Sequence, residues 1–178
     1  MFEPRRIIEI GSGNSTHFLS RAARDCASTV DITCVDPAPR RAISDLDVEL
    51  LERVLTIDDV ELLAALQAHD IIFIDSSHIM LPGMDLDILF NRVFPRLKPG
   101  VIVHIHDVFL PDNYPSAWKY RWYSEQNALV GWIISGYFDV IYPGHYAVTR
   151  HGSTMDRLLG GFEPFQNRAS GSIWLRRN

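Results

Sequence analysis

Five short stretches of this chain place acids, hydroxyls or imidazoles directly after an apolar run. They are "EIGSGNST" with Glu9, "CVDP" with Asp36, "TIDDV" with Asp58 and Asp59, "FIDSSH" with Asp75 and His78, and "HIHD" with His104, His106 and Asp107. Carboxylates can accept hydrogen bonds from sugar hydroxyls or attract a cation. Histidine titrates near neutral pH and can take a proton from a reacting hydroxyl. The residues are scattered along the chain, so they can act together only if the fold brings the ends of several apolar runs to one edge.

The stretch at Glu9 is the most informative. Gly11 and Gly13 allow a tight turn and a close approach of backbone to a ligand, with Ser12 and Ser15 beside them. The dinucleotide fingerprint G-x-G-x-x-G lacks its third glycine, because Thr16 stands there. A carboxylate at the mouth of the first run repels a pyrophosphate and suits a ligand that carries an ammonium group. Asp36, followed by Pro37, ends the second run, where an acid can accept hydrogen bonds from both ribose hydroxyls. The ligand that fits is a nucleoside with an amino-acid tail and no phosphate, a description that S-adenosylmethionine meets.

The elements that must position these groups alternate. Strands are expected at "RRIIEI", "DITCVDP", within "VELLERVLTI", at "DIIFID" and at "VIVHIHD", with helices over residues 15–26, 59–67 and 84–97 between them. A further helix is expected over residues 124–135, then closing strands at "YFDVIY" and "GSIWLRR". A loop or short helix is expected in residues 143–171. Strands separated by helices imply crossover connections, a mainly parallel sheet and helices on both faces. In such a sheet the ligand crevice lies beyond the carboxyl ends of the strands, where the strand order reverses.

The bulk properties bound the function. With 178 residues, 47% hydrophobic and 22% charged, the chain suits one domain of ordinary globular type. A net charge of −5 supplies no general footprint for nucleic acid or an anionic membrane. No stretch is long enough to span a bilayer, and two cysteines, Cys26 and Cys34, make no disulfide framework. The expectation is a cytoplasmic protein with a small-molecule partner, binding neither nucleic acid nor membrane.

Several of these stretches together carry a family resemblance. "IEIGSGNST", "CVDPAPR", "DIIFIDSSH", "LFNRVFPRLKPGVIVHIHDVFLPDNYP" and "YSEQNAL" resemble the bacterial class I S-adenosylmethionine-dependent methyltransferases that carry "FIDSSH" and "HDIFLPxDYP" signatures. The resemblance implies an α/β, Rossmann-like, seven-stranded mostly parallel sheet whose last strand is antiparallel. It implies one methyltransferase domain over residues 1–178, with the cofactor half at about 1–78 and the acceptor half at about 79–178. Glu9, Gly11, Ser12, Gly13 and Ser15 would line the methionine end of S-adenosylmethionine, and Asp36 with Pro37 would hold its ribose. Asp59, ahead of Asp58, would sit near the adenine amino group, and Asp75 to His78 would border the methyl group. Family members usually carry more chain before the first strand than the six residues here, so a homodimer in which a neighbour supplies the lid is the assembly considered.

For the acceptor, His78, His106 and Asp107 are the expected catalytic groups, and His104 is expected to be an interior histidine. Tyr114, Trp118, Tyr120, Trp122 and Tyr123 would form either a pocket wall or an apolar plug. In catechol-type methyltransferases a metal-binding Asp follows the fourth strand and an Asp-Asn pair follows the fifth. Asp75 and Asp107 match, but Val108 replaces the Asn; no metal site is assigned, and a divalent cation on these two carboxylates with a histidine nearby is the less favoured alternative. The function implied is O-methylation of a small molecule or sugar. The rivals are a non-catalytic domain of the same fold and, less favoured, a nucleotide-dependent oxidoreductase.

Overall fold

The computed structural model of the protein describes residues 2–26, 29–161 and 170–178. Seven strands form one sheet: β1 (Arg6–Ile10), β2 (Asp31–Val35), β3 (Glu49–Leu51), β4 (Ile71–Ile74), β5 (Ile102–His106), β6 (Phe138–Pro143) and β7 (Ser172–Arg177). Their spatial order is β3-β2-β1-β4-β5-β7-β6. β1 to β5 pair in parallel, and β7 enters antiparallel between β5 and β6. The expected sheet, including its antiparallel last strand, is the one observed.

Parallel strands buried on both faces must be apolar on both. β1 and β4 satisfy this with Ile7, Ile8, Ile10 and the run Ile71 to Ile74, all buried. Alternation along each strand divides the core in two. On one face Ile8, Ile10, Ile72, Ile74, Val103 and Ile105 pack against residues of α2 (Val60–Ala64), α3 (Asp85–Ile88) and α4 (Glu125–Ile134). On the other, Ile7, Ile32, Ile71 and Ile102 meet Leu19 and Ala23 of α1 (Asn14–Asp25).

The helix expected over residues 84–97 is one helical run of changing pitch. It opens as α3, widens to a π turn over Leu89–Val93 and tightens to a 3₁₀ turn over Phe94–Arg96. Pro95 has no amide proton to continue an α ladder, and the run ends there. The stretch expected as a loop or short helix contains two helices, α5 (Gly144–Arg150) and α6 (Gly152–Leu159); residues 162–169 of it lie outside the described residues. Among the described residues no helix is long and apolar enough to cross a membrane.

The strand order reverses between β1 and β4. There Gly11 adopts φ +85°, and a Cβ added to it would lie 2.0 Å from the carbonyl oxygen of Asp75. Only glycine fits both the conformation and the approach. The crossing fixes the first turn against the end of β4, so the groups after both strands open onto the same crevice.

Candidate active site

A cavity of about 800 Å³ opens at this edge. Gly11, Ser12, Asn14 and Ser15 of the first turn border it, as do Asp36 and Pro37 after β2 and Asp75 after β4. His106, at the end of β5, closes the far side. Phe18, Val54, Leu55 and Met84 supply apolar walls.

Glu9 lies beneath the turn and does not border the cavity. It is 0% exposed, and it accepts hydrogen bonds from the Ser15 hydroxyl, from Thr16 Oγ1 at 2.6 Å and from the Cys34 thiol at 3.3 Å. Burial raises its pKa, and the three donors oppose the rise. The carboxylate expected to open towards an ammonium group is thus turned to these donors, which shape the loop. Thr16, at the position of the missing third glycine, helps to shape the same loop. Its hydroxyl accepts from the Gly13 amide at 2.9 Å and donates to Glu9. Gly13 does not border the cavity either; it starts α1 at φ 148°.

Asp36 both lines the cavity and holds the turn. One carboxylate oxygen accepts from the Ser12 amide at 2.6 Å and from the Ser12 hydroxyl at 2.9 Å. The other accepts from the Ala38 amide at 2.8 Å and keeps acceptor capacity for a ligand. Asp59 lies away from the cavity wall. Arg53 grips its two oxygens at 2.5 and 2.7 Å, and the Thr56 amide donates to it at 2.8 Å. The Arg53 hydrogen bonds hold its carboxyl below the usual range. The residue expected near the adenine amino group is thus held in an ion pair by an arginine six residues upstream.

At the ends of β4 and β5 the titratable groups converge. His78 Nε2 lies 3.2 Å from Asp75 and 3.6 Å from Asp107, while its Nδ1 lies 2.8 Å from Glu125. His106 Nδ1 lies 3.0 Å from Asp107 and 3.7 Å from Asp75. His78 and Asp107 have φ of 60° and 58°, a region that non-glycine residues seldom occupy and that concentrates at functional sites.

Electrostatics separates the two histidines. His78 is 2% exposed; burial lowers its pKa, but the bonds to Asp75 and Glu125 outweigh burial and push it up to about 10. Those bonds favour the imidazolium form of the ring. His106 has a side chain 47% exposed, and its bond to Asp107 raises its pKa against burial. Burial raises Asp75, yet His78 and His106 win and lower it. His104 is the interior histidine expected, stacked on Trp174 at 4.0 Å and edge-on to Phe73. Burial drives its pKa down to about 3, so it stays neutral.

Ligand atoms of Asp75, His78 and Asp107 all lie within 4.8 Å of one another, close enough to share a cation. The sequence, with Val108 in place of an Asn, makes that only the less favoured alternative. It also assigned no role to Asp85 or Glu125. Asp85 borders the cavity and accepts from the Ser77 amide at 2.9 Å and hydroxyl at 2.6 Å. Asp85 and Glu125 are first-turn acids, which read locally only as complements to a helix dipole. The aromatic connection packs inward in part: Tyr123 lies 4.5 Å from the His78 ring, and Tyr114 and Trp118 meet Tyr123 and Phe109. Tyr120 and Trp122 point outward and are exposed.

A family model described as a methyltransferase domain matches residues 8–108, more than half of the chain. The fold is similar to that of several solved structures. The apo structure of CmcI-N160 aligns at TM-score 0.55 and 14% identity over 99% of this chain and 65% of that one. Cofactor-bound Rv0187 from MTB aligns at 0.55 and 14%, over 98% of this chain and 73% of that one. A Thermobifida fusca YX protein aligns at 0.57 and 13%, again over 98% and 73%. This chain thus spans about two thirds to three quarters of the length of those neighbours. No curated protein matches it by sequence. The extent of the family match decides the matter: the chain belongs to the methyltransferase-domain family.

Proposed function

We propose that this member of the methyltransferase-domain family is an S-adenosylmethionine-dependent O-methyltransferase acting on a hydroxyl of a small molecule or sugar. One observation carries the reading: the glycine turn with Asp36 and the pair Asp75 and His106 border the same cavity. A cofactor surface and a proton acceptor therefore share one space.

The residues present fit the cofactor. The turn offers backbone without bulky side chains, Asp36 retains acceptor capacity for a ribose diol, and the Phe18, Val54 and Met84 walls suit a purine. Asp75 supplies negative charge beside the place of a sulfonium. When bound, S-adenosylmethionine supplies an electrophilic methyl group on sulfur.

His106 is the general base in this reading. Asp107, 3.0 Å from its Nδ1, fixes the ring, and Nε2 has no hydrogen-bond partner among the described residues. That nitrogen takes the proton of the acceptor hydroxyl, and the oxygen becomes the nucleophile. His78 holds Asp75 and Asp107 together by sharing its Nε2 edge between them, which relieves the repulsion of two like charges. The site is read as that of a cytoplasmic enzyme, with homodimer formation to be checked by size-exclusion chromatography.

Calorimetry with S-adenosylmethionine and its demethylated product, followed by labelled methyl transfer to a panel of sugars and phenols, tests the proposal. Absence of binding at millimolar concentration would sink the cofactor assignment. Binding without transfer to any acceptor would favour the non-catalytic rival.

The closeness of Asp75, His78 and Asp107 supports a second reading, in which His78 gives up its Nε2 proton and the three hold a divalent cation that polarises the acceptor oxygen. Loss of transfer after dialysis against a chelator, restored by magnesium or manganese, would favour it.

A further inference from the structure

The first turn of α4 does more than start a helix. The Ser124 and Glu125 amides donate to the carbonyl of His78 at 2.9 and 3.3 Å, and the Ser124 hydroxyl accepts from the Met80 amide at 2.8 Å. Gln126 holds the other loop: its Oε1 accepts from the Phe109 amide at 2.8 Å, and its Nε2 donates to the Asp112 carbonyl at 3.1 Å. Three consecutive residues thus tie the segment after β4 to the segment after β5. The carboxylate of Glu125 reaches the imidazole itself, 47 positions away in the chain, at 2.8 Å.

Glu125 is 0% exposed, and its Oε1 has no hydrogen-bond partner among the described residues. A buried carboxylate with one oxygen unpaired is costly, and such arrangements persist where a specific geometry is needed. A helix cap or a dipole complement needs no burial of this kind. Nor does folding require a charge here, since the neighbouring α4 position Leu129 is a plain core residue.

We infer that Glu125 is a positioning residue of the active site: by accepting the Nδ1 proton of His78 it fixes the plane of that ring and the direction of its Nε2 edge, and so sets the spacing of Asp75 and Asp107. The inference rests on the methyl-transfer reading for its functional consequence, but the contact itself can be tested without an acceptor. The same orientation serves His78 as a bridge between carboxylates or as a ligand, because in both cases the Nε2 edge must face Asp75 and Asp107.

Nuclear magnetic resonance of protein with ¹⁵N-labelled histidine reads the contact directly. The wild type should show a low-field His78 Nδ1–H, assigned by its loss in His78→Asn and slow to exchange compared with the exposed His69. An unprotonated His78 Nδ1, or one that exchanges as fast as His69, overturns the inference even if every Glu125 variant fails to fold. In Glu125→Gln, which keeps the shape and an acceptor oxygen, the low-field signal should move or vanish while S-adenosylhomocysteine affinity by calorimetry stays within about threefold. With the panel hydroxyl compound turned over fastest, kcat should fall by about 10- to 100-fold at nearly constant KM for S-adenosylmethionine. A lowered melting temperature with kcat unchanged would reduce Glu125 to a structural part and overturn the inference. Failure of the wild type to bind S-adenosylhomocysteine would instead strike the proposed function, leaving the resonance result standing by itself.

Discussion

At the ends of β1 and β2 the acids meet donors that do not titrate near neutrality: hydroxyls and a thiol at Glu9, backbone amides and the Ser12 hydroxyl at Asp36. At the ends of β4 and β5 the acids Asp75, Asp107 and Glu125 surround two imidazoles. Both regions lie at one edge of the same sheet and use the same kind of side chain. The first arrangement builds a shape. The second holds protons that can move, and it is where chemistry is to be expected. His104 makes the same point within one residue type: with no carboxylate bonded to it among the described residues and packed on Phe73 and Trp174, it is driven neutral, whereas His78 is driven charged.

The two regions meet at a shared pivot, and a single substitution there should damage both. Gly11→Ala places a methyl group against the Asp75 carbonyl and strains a left-handed residue. We expect S-adenosylhomocysteine binding to disappear from calorimetry and the melting temperature to fall by about 5 to 10 °C. Retained binding would mean that the two regions are not locked together there.

A change confined to the second region should separate chemistry from binding. His106→Gln is expected to lower kcat by about 10²- to 10⁴-fold with cofactor affinity nearly unchanged. In the wild type kcat should rise with pH through a pKa above the ordinary histidine value, since the neutral ring is the active form and Asp107 raises it. A pH-independent rate would remove His106 as the base.

The converse change, Asp36→Asn, should weaken S-adenosylhomocysteine by about 10- to 100-fold, the cost of a hydrogen bond to a charged acceptor. Its rate at saturation should change little. An equal loss in kcat would show that the first region also serves the reaction.

The smallest expected effect is on stability. The folded-state pKa of His78 is about 10, above its unfolded value near 6.5. Its protonated form therefore favours the folded chain, fully so below about pH 6.5 and progressively less as the pH rises towards 10. Urea unfolding at pH 6, 8 and 10 should show this decline, and His78→Asn should flatten it. A wild-type profile that is flat over this range would contradict the ion-pair geometry.

The first region was largely legible in the chain. "IIEIGSG" announces a strand and a turn that needs glycine, because two backbone positions and one apolar run are local facts. Asp36 was legible for the same reason, coming directly after an apolar strand. What misled was charge: Glu9 looked open to a ligand, and only the fold showed Ser15, Thr16 and Cys34 closing over it. Likewise, nothing local in the sequence shows that Arg53 takes both oxygens of Asp59.

Sequence by itself determined the alternation of strands and helices, and hence a mainly parallel sheet with the site beyond the carboxyl ends of its strands, since hydrophobic periodicity and crossover connections are carried by neighbours in the chain. Tertiary structure alone decided which acid faces an imidazole, which is sealed and which lines the cavity. Glu125 and His78 stand 47 residues apart yet 2.8 Å from each other. A proton's affinity depends on distance and burial, and neither is written in the order of residues.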